Sequence, residues 1–475
     1  MIPDRLRWLV EPGSAPVALA ERFAAAGHEL FLVGGSVRDA FLGRPHEDLD
    51  FTTDARPEQM KSVVAGWAEA VHTVGEAFGT LSVRKGSHNY EITTFRSETY
   101  RDDSRKPSVT FSHDIVEDLS RRDFTINAMA LRLPRAETID PFGGLADLAA
   151  GILRTPLDPH VSFSDDPLRM LRLYRFQATL GFTPEHTAEV AVKEMAERLR
   201  IVSAERIRDE LSRLLVVDDP SAALWGLVRS GLADVFLPEL PALAMTQDPV
   251  HRHKDVLAHT VAVTAKTSPG NLRLRLAALL HDVGKPATKE IGPLGVTFHH
   301  HEVVGARMTR ERLRRLRFSR ELVDDVARLV FLHLRPHTLK LGWTDSAVRR
   351  YVRDAGELLG DLNELVRCDI TTANPARAAV IFRRLDELEE RIAELAEREE
   401  LARLRAPIDG HAVMAYLGIR PGPLVGEVMN VLLEKRIEDG PYPDEEAYRV
   451  VRSWALGRGL PDPGPPGGGA GGGAT

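Results

Sequence analysis

A chain of 475 residues exceeds what one hydrophobic core usually serves, so two to four domains are expected. Apolar residues make up 43% and charged residues 28%, as in soluble globular proteins, and 62 basic against 69 acidic side chains give a net charge of -7. That balance excludes a uniformly basic nucleic-acid coat but not a local basic stripe. The lone Cys368 excludes an internal disulfide and a Cys-rich zinc site. Met1-Ile2-Pro3-Asp4-Arg5 lacks a secretion signal's apolar core, and no uncharged apolar run nears the ~20 residues that span a bilayer. A cytoplasmic protein without membrane or disulfide partner is expected.

In chain order, Phe31-Leu32-Val33 reads as an apolar strand running into Gly34-Gly35, with a helix opening behind it. Glycines let the backbone approach a ligand, and free N–H groups at a helix start favour phosphate, to which Arg38 would add a forked cation. Asp48 and Asp50 follow at i and i+2 in a strand-like stretch, so both carboxylates take one sheet face. Two like charges held that close call for cations, and hard oxygen ligands with room for substrate phosphates suit Mg²⁺. Thr80 to Phe95 reads as a hairpin turning at Lys85-Gly86-Ser87-His88. In it Glu91 projects opposite to Tyr90 and Ile92 and becomes a third carboxylate for the same site.

Beyond about residue 150 the strand signal fades. Leu168, Leu171, Leu173 and Phe176 keep helical spacing, as do Ile207, Leu211, Leu214 and Leu215. A His-rich region runs from His251 to His337, and Arg383–Arg405 reads as one long exposed helix. Residues 461–475, nearly all Gly, Pro and Ala, read as a disordered tail. The expected domains are 1–150, 151–245, 246–375 and 376–460.

These motifs and their order resemble the DNA polymerase β nucleotidyltransferase superfamily. More narrowly, they resemble class II tRNA nucleotidyltransferases and bacterial poly(A) polymerases carrying an HD domain, of the actinobacterial type. The resemblance implies an α+β, polymerase β-like head followed by mostly α-helical neck, HD and tail regions. It implies addition of CCA to tRNA 3′ ends from CTP and ATP, with Asp48, Asp50 and Glu91 catalytic and Mg²⁺ on the two aspartates. Gly34, Gly35, Arg38 and Arg122 would hold the triphosphate, and Asp123 and Asn127 lie near the ribose. An A-only adding enzyme and a poly(A) polymerase share these motifs and stand as alternatives. A phosphohydrolase with a non-catalytic, nucleotide- or RNA-binding head is an alternative of another class.

Asp165-Asp166-Pro167-Leu168-Arg169 resembles the family's base-reading motif, although Asp165 stands where the family usually has Glu. Asp166 and Arg169, three apart on an expected helix, fall on one face. An Asp accepts from an amino group while an Arg donates to a ring nitrogen, which suits cytosine and adenine and mismatches uracil and guanine. Arg172 and Arg175, further down that helix, approach phosphate or base.

The segment His281-Asp282-Val283-Gly284-Lys285, with His259 upstream and His333 and Asp369 downstream, resembles the HD phosphohydrolase superfamily. By that match His259, His281, Asp282 and Asp369 would bind a divalent metal of undetermined identity. His301, chosen among three consecutive histidines from the Glu302 and Gly305 that follow, and His333 would contact phosphate or a second metal. A vestigial structural domain is the alternative. Two arginine clusters, Arg307 to Arg320 and Arg349, Arg350 and Arg353, are either solvated helix faces or contacts to tRNA phosphates.

Overall fold

The computed structural model describes residues 4–44, 49–73, 75–99, 108–245, 255–293, 295–338, 343–371, 374–399 and 405–465. Asp48, most of the polar stretch 96–107 and most of the Gly/Pro-rich tail lie outside them. The chain forms two compact units. One comprises Met1–Thr246, Ser268–Leu272 and Arg312–Ser319, and the other comprises Gln247–Thr267, Arg273–Glu311 and Arg320–Thr475.

The first unit opens with α1 (Ala15–Ala25) and a seven-stranded mixed sheet. Its early elements are β1 (Leu30–Val33), α2 (Gly35–Phe41), β2 (Leu49–Thr53) and α3 (Pro57–Val64). The strands β3 (Ala70–His72), β4 (Thr80–Lys85) and β5 (His88–Thr94) follow. The hairpin β6 (Arg96–Thr99) and β7 (Ser108–Phe111) stands apart as its own two-stranded sheet. After α4 (Ile115–Ser120), β8 (Ala130–Leu133) and β9 (Glu137–Ile139) complete the main sheet, in the order β3-β4-β5-β2-β1-β8-β9. The pairing of β2 with β5 is parallel, and the other pairings are antiparallel.

All four residues of β1 are buried because the strand lies in the middle of this sheet, covered on both faces. Phe31 and Val33 pack with Phe95, Leu119, Ala128 and Ala130, which ties β1 to the segment that closes the site. The expected hairpin forms with its turn at Gly86 and Ser87.

Next come α5 (Gly144–Ala150) and β10 (Ile152–Leu153), which pairs with β11 (Thr183–Pro184). The helices α6 (Pro159–Asp165), α7 (Leu168–Leu180), α8 (His186–Met195), α9 (Ala204–Leu215), α10 (Ser221–Arg229) and α11 (Leu232–Phe236) follow. In α9 the expected stripe Ile207, Leu211, Leu214 and Leu215 is buried, while Ser203 caps the helix by accepting the Arg206 N–H.

The second unit is mostly helical. It holds α12 (Val256–Lys266), most of α13 (Leu272–Leu280), the hairpin β12 (Lys289–Gly292) and β13 (Gly295–Phe298), and the start of α14 (His301–Arg315). Then come α15 (Arg320–Leu332), α16 (Arg335–Thr338), α17 (Asp345–Ala355), α18 (Leu359–Asp369) and α19 (Pro375–Glu399). The last three helices, α20 (Gly410–Leu417), α21 (Pro423–Asp439) and α22 (Asp444–Gly457), share a small core of Val413, Val428, Leu432, Ala447 and Val451.

The long charged helix starts earlier than its sequence pattern suggests and is not exposed all round. Leu385, Leu388 and Leu395 of α19 are buried. Three-four spacing marks a seam, and here the seam is covered.

Candidate functional sites

The first site forms where β1 ends. Gly34 adopts φ +73°, a region open to glycine, and caps the start of α2. A Cβ there would lie 3.1 Å from Arg122 Nη1, a tight approach, and 3.7 Å from Asp50 Oδ2, an ordinary contact, so the bare backbone eases the approach of Arg122. Asp50 stands in register with Glu91 on the parallel neighbour, and Glu91 with Ser82 beyond it, so the three share one sheet face.

A cavity of about 470 Å³ opens beside them. Its walls include the expected Gly34, Gly35, Arg38, Asp50, Arg122, Asp123, Asn127, Asp166, Arg169, Arg172 and Arg175. Glu91 adjoins Asp50 on the sheet but does not line this cavity. Four lining residues were not among the site residues expected from the sequence: Arg121, Phe176, Arg206 and Arg213. The spacing of Arg121 and Arg122, three and four residues after a buried Asp118 that pairs with both, was the available signal for the first.

The cavity walls form a continuous charged web. Asp123, buried, accepts two bonds from Arg172 at 2.5 and 2.9 Å and one from the Asn127 amide at 2.9 Å. Asn127 Oδ1 accepts from Arg38 at 2.7 Å, and Arg38 also pairs with Asp39. On the other side Arg172 lies 3.4 Å from Glu210, which takes Arg175 at 2.8 Å. Burial opposes the charge on Asp123 most strongly. Arg172, the Asn127 amide and Arg169 together outweigh it and hold that carboxyl below the usual carboxylate range.

One expectation is corrected. Asp166 does not share a helix face with Arg169: it is an extended residue (φ -140°, ψ 99°) between α6 and α7, and Pro167 starts the turn. The residue before a proline is pushed out of the helical region, which explains the break. Both side chains nevertheless line the same cavity. Asp165 does not line it.

The second site gathers the histidines and aspartates of the second unit. His259 Nε2 lies 2.8 Å from Asp369 Oδ1 and 3.3 Å from His281 Nε2, and His281 Nε2 lies 3.2 Å from Asp282 Oδ2. His301 Nε2 stands 3.4 Å from Asp282 Oδ1, and the His333 ring packs against those of His281 and His301. His281, His301 and His333 each turn Nδ1 to the backbone carbonyl three residues back, at 2.6 to 2.9 Å, whereas His259 uses the Thr371 hydroxyl at 2.7 Å. That arrangement leaves the Nε2 atoms facing inward, where they could serve as metal ligands.

Two groups that could hold a metal ion result, His259-His281-Asp282 and Asp282-His301-His333, which share Asp282. His301 Nε2 is buried with no well-formed hydrogen bond, as a ligand atom facing a cation site would be. Gly284 permits the closure, because a Cβ there would collide with the His301 carbonyl and lie 2.7 Å from Gly305 N. Burial works against charge on His281, but Asp282 and Asp369 outweigh it and raise its pKa to about 10. Burial, reinforced by the neighbouring His281 charge, pushes His333 down to about 3. Lys285, 2.7 Å from Asp282, was not singled out from the sequence as a site residue.

The arginine clusters diverge. Arg349 is buried, forked onto Glu399 at 2.9 and 3.0 Å and bonded to the Ile437 carbonyl, so it holds the tail together. Arg350 and Arg353 pair with Glu434. In the first cluster Arg312 is engaged by Glu239, while Arg307, Arg314, Arg315, Arg317 and Arg320 are exposed.

Comparison with known proteins agrees with this geometry. Residues 30–154 match the Poly A polymerase head domain, and residues 256–398 match the HD domain. Residues 181–243 match the probable RNA- and SrmB-binding site of polymerase A. The A-adding tRNA nucleotidyltransferase of Deinococcus radiodurans is 36% identical over 438 residues, covering 89% of this chain and 95% of that one. The chain belongs to the tRNA nucleotidyltransferase family. Among other members, the CCA-adding enzyme of Lacticaseibacillus paracasei is 40% identical over 236 residues, 49% of this chain and 58% of that protein. The Bacillus stearothermophilus CCA-adding enzyme solved with CTP superposes with a TM-score of 0.66 at 25% identity, covering 94% and 99% of the two chains. No described helix of this tRNA nucleotidyltransferase is long and apolar enough to cross a membrane.

Proposed function

We propose that this nucleotidyltransferase adds CCA to tRNA 3′ ends without a nucleic-acid template, drawing on CTP and ATP in the cytoplasm. On the motifs read from its sequence, it groups with the actinobacterial-type members that carry an HD domain. The observation that carries the reading is a single cavity lined by Asp50 beside a glycine turn and by the Asp166–Arg169 pair.

Residues 1–150 act as the head, 151–245 as the neck, 246–375 as the HD domain and 376–460 as the tail. The hard-oxygen donors fit Mg²⁺, which Asp48 and Asp50 would hold. Bound there, it supplies Lewis-acid activation of the terminal hydroxyl and neutralises charge on departing pyrophosphate. The new bond joins the tRNA 3′ oxygen to the α-phosphorus as the bond to pyrophosphate breaks. Glu91 assists in activating that hydroxyl. Gly34, Gly35, Arg38 and Arg122 hold the triphosphate, Asp123 and Asn127 lie near the ribose, and Arg172 and Arg175 approach phosphate or base. Asp166 accepts from the base amino group and Arg169 donates to the ring nitrogen.

The test is extension of tRNAs lacking CCA, lacking CA or lacking A, with each NTP alone and with CTP and ATP together. Completion of all three with the mixture supports the proposal. Incorporation of ATP only, onto tRNA already ending in CC, would favour the A-adding reading, for which the near-full-length Deinococcus relative is the specific observation. Long A tracts would mean a poly(A) polymerase.

The second site supports a second activity: hydrolysis of a phosphate or 2′,3′-cyclic phosphate at an RNA end, dependent on a divalent metal. His259, His281, Asp282 and Asp369 would hold the ion. His301 and His333 would hold a second ion or the phosphate. Phosphate release that is lost in His281→Ala would support it, and no release under several metals would refute it.

A further inference from the structure

The base-reading assignment requires an acceptor and a donor side by side, both facing the cavity, yet not consumed by one another. A carboxylate and a guanidinium three residues apart would ordinarily pair. Here they do not: the ion pair of Asp166 is with Arg206, not Arg169. Each is restrained by a third party. Arg169, buried, donates to the Ser162 hydroxyl at 2.9 Å, to the Ser162 carbonyl at 3.2 Å and to the Arg121 carbonyl. Asp166 has two restraints. Its Oδ1 accepts the Leu168 N–H at 3.1 Å, and its Oδ2 accepts Arg206 Nη2 at 2.7 Å. The Leu168 bond commits Oδ1 to the start of α7, so the position of Oδ2 depends on Arg206.

Arg206 arrives from a different helix, in the first turn of α9, and lines the cavity itself. It is about half exposed, so it is not there to fill a core. A carboxylate oxygen has two acceptor positions. With one taken by Arg206 the other remains for an exocyclic amino group.

Resting on the base-reading assignment above, we infer that Arg206 is a positioning residue for nucleotide selection. It holds Asp166 away from Arg169 as a fixed acceptor. Without it the Asp166 side chain is free to turn onto Arg169, satisfying both internally and leaving neither to oppose the carbonyl and ring N–H of uracil. The penalty against the wrong base then falls faster than overall activity does, because rejection relies on unpaired, correctly placed polar groups.

The experiment compares kcat/KM for CTP and UTP on tRNA lacking its CCA end, using wild type, Arg206→Ala, Arg206→Lys and Asp166→Ala. For Arg206→Ala the CTP:UTP ratio is expected to fall at least tenfold. Arg206→Lys, which restores a cation and an N–H donor, is expected to recover part of the ratio. It also keeps the test alive if the alanine variant folds poorly. A ratio that falls in Asp166→Ala but stays at the wild-type value in both Arg206 variants overturns the role of Arg206 alone. A ratio unchanged in Asp166→Ala overturns the base-reading assignment beneath it.

Discussion

Replacing Asp123 with Asn removes one charge from the middle of the cavity web while keeping its shape. The carboxylate accepts on every side: Arg172 twice, the Asn127 amide, and the Phe124 N–H at 2.8 Å. An amide has one oxygen to offer, so its NH₂ must face either Arg172 or the pair of N–H donors, donor against donor. Removing one partner of a buried ion pair costs roughly 3–5 kcal/mol. Arg172 keeps Glu210 at 3.4 Å and its side chain is 29% exposed, which sets the expectation at the low end, about 3 kcal/mol. At one decade per ~1.4 kcal/mol, amides of α7 that exchange through opening of this region should exchange about a hundredfold faster.

Hydrogen–deuterium exchange on α7 and α9 peptides is the assay. The deficit also carries a pH signature. Because the folded Asp123 carboxyl titrates below its unfolded value of ~3.9, its contribution is complete above that value and is lost as the pH falls toward the folded one. Wild type and variant should therefore converge in acid. An exchange difference below threefold at pH 7, or one independent of pH down to 3, would refute the argument.

Asp50→Asn should reduce nucleotide addition by at least a thousandfold while leaving tRNA affinity within a factor of three, measured by primer extension and filter binding. At the histidine site, a proton on His281 competes with any cation, since Asp282 and Asp369 hold its pKa near 10 against burial. Divalent metal binding at pH 7 should then release protons and strengthen as pH rises, read by titration calorimetry in buffers of different ionisation enthalpy. If His301 and His333 hold a second ion, elemental analysis should find two ions per chain and one in the His301→Ala, His333→Ala double variant. Replacing Arg314, Arg315 and Arg317 together with Ala should weaken tRNA binding and lower the salt slope by about 2 to 3, at roughly 0.7–0.9 per lost phosphate contact. An unchanged slope would leave these as solvated side chains.

Much of both sites was legible because their chemistry is written locally. The Gly-Gly turn, Asp50 and the hairpin around Glu91 follow from strand alternation and turn residues alone, and the register of β2 with β5 supplies the adjacency. The six histidine-site residues were found from a resemblance whose spacing the helices preserve. What escaped were contacts made between elements far apart in sequence. Arg206 meets Asp166 across 40 positions, and Arg349 meets Glu399 across 50. A run of arginines announces a charged helix face but not what covers it, which is why one member of the second cluster turned out to be buried. The helical placement of Asp166 failed for a local reason, the proline after it, which outweighs the i, i+3 pattern.

The four inward-facing imidazoles are not equally secure. Three take their orientation from a carbonyl within their own segment, so the folding of each short stretch presets the ligand before any ion arrives. His259 instead depends on a hydroxyl 112 positions away, beyond the end of α18. A cation captured there would therefore meet a three-sided cup set by local carbonyls, its fourth side latched by the residue two places past Asp369. Damage to Thr371 should loosen that latch while leaving the cup intact.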